Sequence, residues 1–212
     1  MPAPLTELVR QRTLVINLLI YPEVEILDFA GPYEVFSVAS RVALRDGVLA
    51  HPAFHVHTVA AHPERVCARY NLRLQADTSL ESAGPCDVLI VPGGVVDQPL
   101  DHPPTLDWVA RTAASTTLVT SVCTGAFILA KAGVLTDQTV TTHWGDIDDL
   151  QRDYPALKVV GEVPYVDLGN LITSAGISAG IDMSLHVVAR ILGAQAATST
   201  ARQMQYHWKD CN

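Results

Sequence analysis

Cys123 stands where one kind of sequence gives way to another. Thr117-Leu-Val-Thr-Ser-Val122 is short, β-branched and apolar, the pattern of a buried strand. Thr124 to Ala132 is rich in helix formers and closes on Gly133, a residue suited to a helix C-cap. A strand turning sharply into a helix lifts the joint residue clear of the sheet and points it at the helix N-terminus. The free N–H groups there favour an anion. A thiol in that place is expected to have a lowered pKa and more nucleophilic thiolate, as in a nucleophile elbow with sulfur in place of oxygen. The alternative is a small buried residue that only fills the joint.

Other chemistry-bearing residues fall at strand ends. Thr13 to Ile20 reads as a first strand, apolar apart from Asn17. Pro32 suits a helix's first turn, so Tyr33 to Val42 continues as a helix. Asp28 is then expected in the loop between them, at the carboxyl edge of the sheet where open α/β folds place their sites. Cys86 to Val91 reads as a buried strand ending in Pro92-Gly93-Gly94. Glycines there let backbone N–H groups approach a ligand, or simply make a turn. Thr139 to Trp144 reads as a short extended piece carrying His143.

The remaining elements must position these groups. Phe54 to Ala60 reads as a second strand, 69–75 as a hairpin or short strand pair, and Pro104 to Ala114 as a helix. A helix over about 145–152 ends before Pro155. Lys158 to Tyr165 and Asn170 to Ala175 read as strands, the first at an edge because of Pro164. Ser178 is expected to cap a long helix with Ile181, Leu185, Val188 and Leu192 on one face, ended by Gly193. Ala194 to Trp208 reads as a final helix. Residues 1 to about 12 read as a loose leader. Strand and helix alternate, which predicts one doubly wound α/β domain over 1–212, with a mostly parallel sheet and helices on both faces.

Composition narrows the partners. The chain has 212 residues, is 49% hydrophobic and only 17% charged, so it can bury a sizeable core. A net charge of −8 argues against nucleic acid, and no run approaches a membrane span. No basic segment followed by an apolar one opens the chain, so no signal peptide is expected. Cys67, Cys86, Cys123 and Cys211 are scattered without a C-x-x-C pair, so neither zinc nor a disulfide framework is signalled. A cytoplasmic protein is expected, and Cys67, Cys86 and Cys211 read as bystanders.

Five motifs in order now carry a resemblance. Leu27-Asp-Phe-Ala-Gly-Pro32, Pro92-Gly-Gly94, Ser121-Val-Cys-Thr-Gly125, Thr141-Thr-His-Trp144 and Gly176-Ile-Ser-Ala-Gly-Ile-Asp182 resemble the ThiJ/PfpI superfamily, from about residue 13 to 195. Its fold is flavodoxin-like, of the class I glutamine amidotransferase type. Within it the chain looks most like isocyanide hydratase and the sensor-like domain of AraC-type regulators. The chain ends at Asn212, so no helix-turn-helix domain is expected. The superfamily's proteases place His directly after the cysteine, where this chain has Thr124. Arg69-Tyr-Asn71 also departs from the small residues common in relatives.

The resemblance implies roles. Cys123 is the nucleophile. Asp28 is the general acid and later a base for water, because a carboxyl beside a thiolate keeps a proton; read alone, Asp28 is equally a helix N-terminal acid. The backbone N–H groups of Gly94 and Thr124 form an anion hole. Gly93, His143 and Trp144 line the pocket, with His143 orienting water or serving structure, and Trp144 in the wall or core. Asp182 reads as a structural hydrogen-bonding partner; Glu23, Glu25 and Glu34 read as solvated. The implied reaction is hydration of an isocyanide, a small-molecule substrate, to an N-substituted formamide. It needs no cofactor and no metal. Alternatives are a glyoxalase-type aldehyde enzyme or a non-catalytic sensor. A homodimer is implied.

Overall fold

The computed structural model describes residues 4–208. Within that range the chain forms α1 (Leu5–Gln11), β1 (Leu14–Leu19), α2 (Ile26–Arg45) and β2 (Phe54–Ala60). A hairpin of β3 (Val66–Ala68) and β4 (Leu72–Leu74) follows, then β5 (Thr78–Ser79), β6 (Val88–Val91), α3 (Asp97–Leu100), α4 (Pro103–Ser115) and β7 (Leu118–Val122). The second half runs α5 (Gly125–Lys131), β8 (Thr139–Val140), α6 (Ile147–Asp153), β9 (Lys158–Val159), β10 (Tyr165–Asp167), β11 (Leu171–Ser174), α7 (Ala179–Leu192) and α8 (Ala194–Gln203).

The main sheet has seven strands in the order β10-β11-β7-β6-β1-β2-β5. All pairs are parallel except β10 with β11. Its central strands are the apolar runs of the sequence. Leu14, Ile16, Leu18, Leu89 and Ile90 are fully buried. Each such side chain contributes roughly 1.5–3 kcal/mol of burial.

Handedness then fixes the layers. From β1 the chain steps outward to β2, whereas from β6 it steps the other way to β7. Right-handed crossovers in opposite directions put α2 and α4 on opposite faces. Helices α1, α2, α7 and α8 pack together on one side, and α3, α4 and α5 on the other. The reversal falls between β1 and β6. Their carboxyl ends diverge there and open a crevice, the position where doubly wound sheets bind ligands. Asp28 follows β1, Gly93 follows β6, and Cys123 follows the adjacent β7.

Several expectations need correction. The leader is not loose over 5–11: it forms α1, because Val9 is buried and Leu5 and Leu8 pack against the core. Asp28 is not in a loop. It lies in the first turn of α2, which begins at Ile26 and carries Pro32 in its interior. Burial of one whole side of this helix, from Phe29 to Ala43, outweighs the lost N–H of the proline. The strand over 158–165 splits in two. Lys158–Val159 pairs with β8 apart from the main sheet, Glu162 turns the chain at φ 59°, and the antiparallel edge strand starts after Pro164. Ser178 occupies the N-cap of α7 but makes no side-chain capping bond. The last helix stops at Gln203 rather than running to Trp208, and Gln205 has φ 53°. Cys211 lies outside the described residues.

Candidate active site at the β1–β6–β7 strand ends

Cys123 sits at the elbow in the left-handed region, at φ 57°. A non-glycine residue there stores on the order of 1–3 kcal/mol, so the surroundings must hold it. Its N–H donates to the Ser174 carbonyl at 3.1 Å, and its carbonyl accepts from the Thr142 hydroxyl at 2.8 Å. Gly125 opens α5, and a Cβ there would fall 2.1 Å from the Val91 carbonyl oxygen. Only glycine lets the helix start so close to β6.

The thiol is buried, and its pKa is pushed up to about 12. Burial is the largest cause, and the charge on Asp28 is the next. The N–H groups of Thr124 and Ile177 pull it back in part, and Asp146 raises it further. The expected lowering is therefore overturned. The helix after the elbow is only seven residues long, and two N–H groups do not offset desolvation plus a neighbouring carboxylate.

Asp28 is fully buried. Its Oδ2 accepts from the Gly93 N–H at 3.0 Å. Oδ1 takes no N–H or O–H donor from the described residues. Burial raises the carboxyl to about pH 7, and the charge of Glu25 adds to this. The Gly93 N–H and the Cys123 thiol act in the other direction. Two protonatable groups thus face each other with both pKa values raised, chiefly because burial penalises the charged form of each.

The Gly93–Gly94 turn supports both. A Cβ on Gly93 would lie 2.5 Å from Thr124 N and 2.9 Å from Asp28 Oδ2. Gly94 adopts φ 141°, and a Cβ there would meet the Glu23 carbonyl at 2.3 Å. The Gly94 N–H donates to the Thr124 hydroxyl at 2.9 Å. That corrects the anion hole, since this N–H is already spent on the side chain of Thr124. The donors at the sulfur are the N–H groups of Thr124 and Ile177.

Ile177 escaped the sequence reading. It has φ 52°, and the tail of its motif reads only as the start of a helix. Nothing local marks a strained apolar residue as an N–H donor to a distant thiol. Asp146 was missed although its partner His143 stands only three residues before it. Its Oδ2 lies 2.9 Å from His143 Nδ1. The Gly145 N–H also approaches Nδ1, at 3.2 Å. Both contacts converge on Nδ1 and fix the orientation of the ring. Gly176 makes room for the ring: a Cβ there would stand 2.2 Å from His143 Cδ2. Trp144 is not in the core; it is 82% exposed with its ring 5.3 Å from that of His143. Asp182 hydrogen-bonds Tyr206. Among the described residues no group of three or more His, Cys, Asp or Glu side chains could hold a metal ion.

The chain is similar to known proteins over most of its length. The DJ-1/PfpI family matches residues 15–190. The isonitrile hydratase of Pseudomonas putida is 34% identical over 198 residues, 91% of this chain and 78% of that protein. The HTH-type transcriptional regulator CdhR of Pseudomonas aeruginosa is 29% identical over 87% of this chain but 53% of its own length. The crystal structure of a ThiJ/PfpI family protein from Pseudomonas syringae superimposes with a TM-score of 0.80 at 26% identity, covering 95% of this chain and 78% of that one.

Proposed function

The chain belongs to the DJ-1/PfpI family, and from that premise we propose that it is a cysteine-dependent hydratase converting an isonitrile and water to an N-substituted formamide. The observation that carries this reading is the fully buried Asp28 carboxyl, held by the Gly93 N–H at 3.0 Å beside the buried Cys123 thiol, with burial raising the pKa of both groups. An isonitrile carbon must receive both a nucleophile and a proton. Asp28 as carboxylate takes the Cys123 proton while sulfur attacks the terminal carbon. It then returns that proton to the same carbon, giving the thioimidate R–N=CH–S–Cys123. Water adds to the carbon; His143, anchored on Asp146, accepts one proton of that water and passes it to the imine nitrogen. The C–S bond then breaks, the remaining hydroxyl proton goes to sulfur, the thiol is restored and R–NH–CHO leaves.

The test is turnover of an aryl isonitrile by wild type, Cys123→Ala and Asp28→Asn, with mass spectrometry of the Cys123 peptide. Formamide production lost in both variants, with a thioimidate mass in trapped wild type, supports the reading. A folded wild type giving neither product nor adduct overturns it.

A second reading has its own support. The high pKa of the Cys123 thiol suits a binding site that does no chemistry, and CdhR is similar over most of this chain. Tight ligand binding with an unreactive Cys123 would favour a sensor. We further propose a homodimer acting in the cytoplasm. The exposed Leu27 and Tyr33 on α2 and the free thiols Cys67, Cys86 and Cys123 motivate this. Among the described residues no helix is long and apolar enough to cross a membrane.

A further inference from the structure

Tyr21 lies just past β1, is buried, and donates its hydroxyl proton to the Pro92 carbonyl at 3.0 Å. The other end of that same peptide group is the Gly93 N–H, which donates to Asp28 Oδ2 at 3.0 Å. A peptide group is planar and trans, so its C=O and N–H point in opposite directions and cannot turn separately. Tyr21 therefore holds one end of a rigid unit whose other end rests on the acid. We propose that Tyr21 is a positioning residue for Asp28, acting through the Pro92–Gly93 peptide.

Two physical effects run along this unit. The first is orientation. The peptide is stitched on its flank by Glu25 N–H to the Gly93 carbonyl at 2.9 Å and by Val95 N–H to the Glu23 carbonyl at 3.1 Å, but those bonds hold its neighbours. Tyr21 alone, among the described hydrogen bonds, grips the Pro92 carbonyl. The second is polarisation. A donor on the carbonyl strengthens the N–H at the opposite end, by roughly 10–30% for chained hydrogen bonds. Both effects favour the charged form of Asp28. The phenol is itself close enough to feel the charges of Asp28 and Cys123, which raise its own pKa together with burial, so it stays a neutral donor throughout.

The groups facing Asp28 are few. Glu25 raises its pKa from the same helix end, the Cys123 thiol faces it from the elbow, and the Gly93 N–H comes from the β6 turn. Cys123 in turn faces Asp146. Removing the hydroxyl of Tyr21 changes none of these side chains. It changes only how well one N–H is held against the carboxylate.

The inference deepens the hydratase reading, because it assigns what sets the acid that reading uses. Its test does not depend on turnover. The Asp28 carboxyl carbon is followed by 13C NMR against pH in wild type and Tyr21→Phe, with Asp28→Asn to assign the signal. Thermal melting confirms that both proteins are folded. The midpoint is expected to rise by about 0.5–1 pH unit in Tyr21→Phe, as it does when a carboxylate loses part of a backbone hydrogen bond. Where isonitriles are turned over, the acidic limb of the rate profile moves by the same amount. An unmoved midpoint in folded Tyr21→Phe overturns the proposal, even if activity falls. A moved midpoint in a protein that ignores isonitriles leaves the relay standing and the hydratase reading refuted.

Discussion

The Thr124 hydroxyl spans both polar groups of Gly94, accepting from its N–H and donating to its carbonyl, each at 2.9 Å. One side chain thereby ties the residue after Cys123 to the turn that touches Asp28. Thr124→Val keeps the shape but leaves two backbone groups unpaired beside a buried site. The variant is expected to lose about 1–3 kcal/mol of stability, read by urea denaturation, while Thr124→Ser stays near wild type.

Asp28 makes stability depend on pH in an unusual direction. Its ordinary value is 3.8 and its folded value is about 7. Between those limits the unfolded chain has released this proton while the native chain keeps it. Each step up in pH through that window therefore favours unfolding, by roughly 4 kcal/mol across it. Below the window the group has no effect, and above it the loss is complete. Asp28→Asn removes this slope, so the difference in unfolding free energy between pH 5 and pH 8 shrinks relative to wild type. An unchanged difference would mean that the carboxyl titrates normally.

Gly93→Ala tests the fit of the turn. The added methyl meets Thr124 Oγ1 at 2.6 Å and Asp28 Oδ2 at 2.9 Å, as well as the Thr124 backbone. Backbone cannot yield as a flexible side chain does, so the turn moves as a whole. Activity is expected to drop at least ~100-fold, since misplacement by about an ångström costs that much. Alkylation of Cys123 by iodoacetamide, measured on its peptide, should change as well.

In the proposed reaction His143 and Asp146 act after the carbon–sulfur bond forms. Asp146→Asn weakens the anchor on His143 Nδ1. Turnover is expected to fall about 10–100-fold, and the thioimidate should accumulate in mass spectra of the working enzyme. Loss of turnover without any adduct would place the pair before sulfur attack instead.

Light scattering of the purified chain is expected to give twice the monomer mass of 22.8 kDa. Aspartates in place of the exposed Leu27 and Tyr33 would shift that equilibrium if α2 lies in the interface. A monomer in the wild type contradicts the homodimer.

Much of this site was legible in one dimension because its parts are local. Cys123 lies between an apolar β-branched run and a helix-forming run, and that junction is the elbow observed. The glycine pair follows β6 because nothing larger fits, and a glycine pair is visible in any sequence. Alternation of strands and helices was enough for a parallel sheet with two helical layers. Helix starts were harder. Pro32 reads as a first-turn residue, yet tertiary packing carries α2 through it and draws Asp28 into the helix.

Only the tertiary structure decided the electrostatics. Local sequence places a thiol at a helix start and so argues for a lowered pKa, but burial and the Asp28 charge come from segments about a hundred residues away and reverse the sign. The same holds for the Gly94 N–H, spent on a side chain across the crevice, and for Ile177 and Tyr21, whose roles exist only where distant strand ends meet. Periodicity and turn residues record what a segment does with its neighbours in the chain. The protonation of a buried group depends on everything within a few ångströms, and that neighbourhood is created by folding.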